Sequence, residues 1–171
     1  IISTDAIPAY YYFGRLDYIF PNVEIPGETI HPHTGTRILS DAEALARPIS
    51  QVHSVAEHVS HILEWRKECL LRFKDMKTEL MNSPDDWKDN IELAQIGWAN
   101  LKNTFYKSTL LLIHALENQD DTYLERKFQD TDYNFHYLIE GIIQHDLYHL
   151  GQIGITIKLL NNNSVPAEPP K

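Results

Sequence analysis

Cysteine is almost missing from this sequence: Cys69 is the only one in 171 residues. No disulfide can join two parts of it, which fits a reducing compartment. Long apolar runs are missing as well, and nothing approaches the roughly 20 residues that a membrane-spanning helix needs. The first residues, Ile1-Ile2-Ser3-Thr4-Asp5, show no basic stretch followed by an apolar one. No secretory leader is visible, and a cytoplasmic location without a membrane partner is the expectation. Positive charge is in deficit, with a formal net charge of −9 and the acids scattered along the chain. A surface of that sign repels a phosphate backbone and argues against a nucleic-acid partner. There is no glycine-rich phosphate loop and no internal repeat. The alternation that marks half-buried strands is nearly absent. What is present, 43% hydrophobic and 23% charged residues, suits a single domain over residues 1–171 with a core of ordinary size.

Helical periodicity is abundant. The strongest segment runs from about Asp132 to Leu160 and carries the stripe Phe135, Leu138, Ile142, His145, His149, Gln152, Thr156, Leu159. Steps of three and four are those of a helix face turned to a core. Apolar side chains fill the first half, and then His145 and His149 take core positions in succession. Histidines four apart on a helix differ by about 40° in direction and one turn in height, so both imidazoles can converge on one divalent ion. The plainer alternative is a pair of core histidines bonded to carboxylates or carbonyls. His136 falls off this stripe.

Along the rest of the chain, a poorly periodic helix is expected over 6–20, followed by an irregular region over 21–53 rich in proline and glycine. His31 and His33 lie in that region and read as solvated. Ser40-Asp41-Ala42-Glu43 is a capping-box pattern that predicts a short helix over 41–46, ended before Pro48. Ser54-Val55-Ala56-Glu57 repeats it and starts a helix over 55–76, with the stripe Val55, Val59, Ile62, Trp65 or Arg66, Cys69, Phe73, Met76. Cys69 on that stripe reads as a small buried hydrophobe. His58 and His61 both sit near the inner edge of this helix, and either can supply a third ligand. Ser83-Pro84-Asp85-Asp86 reads as a helix start for a segment over 86–118 that can break near Asp89-Asn90. Its seam is Ile91, Ala94, Trp98, Leu101, Phe105, Ser108, Leu112, Ala115, with His114 off the seam. Residues 119–131 read as a connection with at most a turn of helix, and residues 161–171 as a tail unable to hold one. Three long amphipathic helices and one at the amino end give an all-α protein, by default a four-helix bundle.

Two blocks carry a family resemblance. Ala46-Arg47-Pro48-Ile49 with His53-Ser54-Val55-Ala56-Glu57-His58-Val59-Ser60-His61-Ile62-Leu63-Glu64-Trp65-Arg66 resembles the first block of DinB-like (DinB/YfiT) proteins. Gly141-Ile142-Ile143-Gln144-His145-Asp146-Leu147-Tyr148-His149-Leu150-Gly151-Gln152-Ile153 is similar to the second. The first 45 residues resemble the family much less. The resemblance implies a four-helix bundle, here with a long N-terminal loop region, that holds a divalent metal by three histidines. It places the ligands on His61, His145 and His149, with His58 at a position that is usually aliphatic.

Three neutral ligands leave an ion its full charge and an open position, as in catalytic sites. Zinc or nickel is the leading expectation, and three imidazoles also accept iron or manganese. Glu57, one turn before His61, is a candidate base or an acceptor for an imidazole, with its capping-box role as the alternative. Gln152, one turn after His149, can orient water or pack in the seam. Asp146 and Tyr148 flank the ligands and point roughly 100° away from them. The resemblance implies a metal-dependent S-transferase using a low-molecular-weight thiol such as bacillithiol or mycothiol. Arg37, Arg47 and Arg66 are candidates to receive that cofactor's carboxylates. The alternatives are a hydrolase that uses water on the metal and a stress-associated metal-binding protein without turnover. A small-molecule substrate and a homodimer complete the expectation.

Overall fold

All but one of the helices start where a short polar side chain can satisfy their free amides. The structure, a computed structural model, describes residues 39–117 and 119–163. The expected helix over 6–20, His31, His33 and Arg37 lie outside them. Six α-helices and no strand occur among the described residues. Helix α1, Asp41–Leu45, opens with Ser40 and Glu43 closing a capping box. Helix α2, Val55–Arg72, opens with the same device from Ser54 and Glu57. Asp89 caps α3, Asn90–Ile96, by accepting from the amides of Ile91 and Glu92. Helix α4, Trp98–Leu116, follows directly after Gly97. The short α5, Asp121–Glu125, is capped by Asp120. The long α6, Phe135–Asn163, begins where Asn134 Oδ1 accepts from the Tyr137 amide at 3.0 Å.

Helix α2 is central, packed against both α4 and α6. Val55, Val59, Ile62 and Leu63 of α2 meet Leu93, Trp98, Leu101 and Phe105 from α3 and α4, and Ile153 from α6. A second cluster joins Cys69, Leu112 and Ile142 from the same three long helices. The described residues are thus all-α, and most of their core lies on the faces that the three-four spacing indicates.

Several boundaries differ from the sequence reading. Helix α2 stops at Arg72 rather than 76, because the chain turns through Asp75 at φ 57°, and Met76 is left 48% exposed. The segment expected over 86–118 becomes helical only at Asn90, where a break was expected, and it is divided a second time at Gly97. Gly97 takes φ 82°, a conformation that costs little only without a side chain. The break resets the helical phase: Leu93 is buried while Ile91, expected on the seam, is 73% exposed. Ser83 through Asp86 form a turn rather than a helix start, with the Asp86 amide bonded to the Ser83 carbonyl at 3.1 Å. Asn161 to Asn163, expected in the tail, continue α6.

Candidate metal centre

Two capped, buried helices bring three histidines to one point. His61 sits in the second turn of α2, and His145 and His149 sit midway along α6. One ring nitrogen from each lies within 4.8 Å of the other two. His61 Nε2 and His145 Nε2 are 3.0 Å apart. Two imidazole nitrogens held by one ion at zinc-like bond lengths would be roughly 3.3 Å apart. His61 is 5% and His149 6% exposed, and His145 is half-buried.

Of the three Nδ1 atoms, that of His61 has a partner, and those of His145 and His149 are buried without a hydrogen bond. His61 Nδ1 lies 2.8 Å from the Asp86 carbonyl oxygen and 3.0 Å from Asp86 Oδ1. It therefore donates its proton outward and leaves Nε2 free. Asp86 Oδ1 also accepts from Trp65 Nε1 at 2.8 Å. His145 Nδ1 and Asp146 Oδ1 are both buried without a hydrogen bond and stand 3.9 Å apart. His149 Nδ1 and Gln152 Oε1 are buried and unpaired as well, and the Gln152 side chain bears on the His149 ring. Unpaired buried polar atoms are costly, and an acceptor near the outer nitrogen is what metal-binding histidines ordinarily have. Burial, then the neighbouring imidazoles, pushes His149 down to about 4. Burial also lowers His61, against the raising effect of its bond to Asp86. Neutral rings are the form that binds a metal. The donor set fits a divalent ion.

His58 is not part of this group. It is 3% exposed, its ring centroid is 5.5 Å from that of His149, and burial brings it down to about 4. Glu57 is 2% exposed and engaged on both oxygens: by Arg47, through a 2.9 Å bond from Nε and a second contact from Nη2, and by the Ser54 amide at 2.7 Å. Burial would raise the carboxyl, but these donors outweigh it and hold Glu57 below its ordinary value. Gln152 also donates to the Tyr148 hydroxyl at 3.1 Å. Arg66 is not at a cofactor mouth. It is fully buried, bonded to Asp146 Oδ2 and to Thr109 Oγ1. Asp146 thereby ties α6 to α2.

Sequence reasoning missed Trp87 and Asp86. Trp87 is sandwiched between His53, at 4.0 Å and 16° between planes, and His61, at 3.9 Å and 13°. Nothing in the Pro84-to-Asp89 stretch announces this, since a loop residue's partner is set by tertiary structure alone.

An all-helical bundle with three histidines from two facing helices, each backed by a polar group, defines a class of open metal-binding sites. Residues 36–153, well over half of the chain, match the model of the DinB superfamily, and the chain belongs to that superfamily. No curated protein and no solved structure matches it.

Proposed function

We propose that this protein is a divalent-metal-dependent S-transferase in which His61, His145 and His149 hold the ion and a low-molecular-weight thiol such as bacillithiol binds there as its thiolate. The observation that carries the reading is the convergence of three ring nitrogens within 4.8 Å, with no fourth ligand in the group among the described residues. Bound there, zinc or nickel would supply a Lewis acid with room for an exchangeable ligand. The chain's own residues prepare the place. Asp86 fixes the His61 tautomer, Asp146 and Gln152 face the outer nitrogens of His145 and His149, and Trp87 covers one face of His61.

The thiol reading is favoured over hydrolysis because Glu57, the carboxylate best placed by sequence to serve as a base, is held by Arg47 and by the helix cap. A thiolate nucleophile needs no such base once formed. The same reading carries a small-molecule substrate, a homodimer and a cytoplasmic location. No helix among the described residues is long and apolar enough to cross a membrane.

The test is metal content by elemental analysis of the parent, His61→Ala and His58→Ala proteins, followed by thiol titration of the loaded parent. One ion per chain, lost in His61→Ala and retained in His58→Ala, is expected. Thiolate binding to a cobalt-loaded sample should add a sulfur-to-metal charge-transfer band. If folded parent protein reloaded with zinc, nickel or cobalt retains none, the enzymatic reading is wrong. The histidines are then core residues of a binding protein.

A further inference from the structure

Beside the three histidines, α2 and α6 border a cavity of about 210 Å³. Trp65, Cys69, Leu138, Gly141 and Ile142 line it, and His145 stands with Trp65 at one end. The far end carries Glu68 and Arg72, which pair with each other. Glu68 also accepts from the Leu80 amide at 3.0 Å, and Arg72 donates to Thr78 Oγ1 and the Tyr133 hydroxyl, each at 3.3 Å. The charges in the wall are thus matched within the protein. Cys69, raised by burial to about 12, is a neutral thiol and part of the apolar lining. An occupant gains from apolar contact here, whereas a charged one would lose hydration without a free counter-charge. An engineered apolar cavity of about 150 Å³ takes up benzene, so this one has room for a single ring and a small substituent.

We propose that this cavity is the subsite for a neutral, ring-sized apolar group of the substrate, which it holds end-on to the metal centre through the His145 end. The assignment to a substrate rests on the transferase reading, whereas the binding of such a group does not. Gly141 gives the means to test it. Gly141 is exposed at the cavity's edge, and a Cβ added there meets nothing within 4 Å, so a larger side chain can be placed over the cavity without disturbing the helix.

The experiment is saturation-transfer NMR with p-cresol on the full chain, loaded with zinc or with paramagnetic manganese. Binding to the parent and to Gly141→Ala is expected, weakened at least about tenfold in Gly141→Phe, a loss equal to 1.4 kcal/mol. Leu138→Trp fills the cavity from a second position and should act alike, with far-UV circular dichroism confirming that each variant is folded. Manganese should broaden the bound p-cresol resonances strongly. Absence of p-cresol binding, or equal affinity in a folded Gly141→Phe protein, overturns the subsite. Binding that Gly141→Phe blocks, in a protein that retains no manganese or zinc, keeps the subsite and removes the metal reading instead.

Discussion

Asp146 gives one carboxylate oxygen to Arg66 and keeps the other for His145. Oδ2 accepts from Arg66 Nε at 2.8 Å and Nη2 at 2.6 Å, while Oδ1 has no hydrogen bond and lies 3.9 Å from His145 Nδ1. One side chain therefore joins the helix packing to a candidate metal-binding histidine. Asp146→Ala should destabilise the metal-free protein by about 3–5 kcal/mol, because it strands a fully buried guanidinium. Asp146→Asn keeps the shape and should cost less stability, yet weaken metal binding about 10- to 100-fold. Thermal denaturation without metal and competition against a chromophoric chelator separate the two effects.

Asp86 poses the corresponding question for His61. Asp86→Ala removes the carboxylate that contacts both His61 and Trp65 but leaves the backbone carbonyl in place. Metal affinity should fall about tenfold, with little change in helix content. An unchanged chelator-competition curve would show that the carbonyl alone positions the ring.

Trp87 should report on the ion. Its indole stacks on His61 at 3.9 Å, so binding of cobalt or nickel, whose open d shells quench nearby fluorescence, should dim the emission of the parent. The change should be smaller in Trp87→Phe, where the quenching that remains comes from other tryptophans, Trp65 among them. Equal quenching in both proteins would place the ion away from Trp87.

Acid should loosen the start of α2. Glu57 is held below its ordinary value in the folded chain, so the unfolded chain binds its proton more readily. Its contribution is present above the unfolded value, about 4.3, and is lost as pH falls through the folded value. Glu57→Gln should remove part of this dependence and cost about 2 kcal/mol at neutral pH through the lost ion pair and the weakened cap. Urea denaturation at pH 7 and at pH 3.5 measures both.

Cys69 should be inert in the native state. It is 5% exposed, and burial pushes its thiol up to about 12. A disulfide reagent at pH 8 should leave it unmodified for hours in buffer and label one thiol per chain within minutes in denaturant. Rapid native labelling would mean that the wall of the adjacent cavity opens.

The helices and two of the histidines are legible in the sequence, and the contacts that join them are not. Capping boxes at Ser40 and Ser54 and the stripe on α6 are local patterns, and the observed helices follow them. His145 and His149 are legible because a polar residue on an apolar stripe is conspicuous. His61 and His58 are both buried on α2, so periodicity does not choose between them; the family resemblance favours His61, and it is His61 that stands with His145 and His149. Asp86, Trp87 and the Arg66–Asp146 pair were beyond reach. Their partners are 21 to 80 residues distant in the chain, and no local pattern encodes which loop folds over which helix. Ile91 is out of phase with the seam because one glycine, Gly97, resets the count.

The division of ligands between helices has a mechanical consequence. His145 and His149 share one rigid rod, and His61 rides on another, so the aperture for an ion has a single adjustable dimension: the spacing between α2 and α6. The buried Arg66–Asp146 link clamps those same two rods within a turn or two of the aperture. The fold thus resembles a caliper. An ion held by the three histidines would need bond lengths that match the gap between the helices, and a substitution that widens that gap by a fraction of an ångström would change which metal fits without touching a histidine.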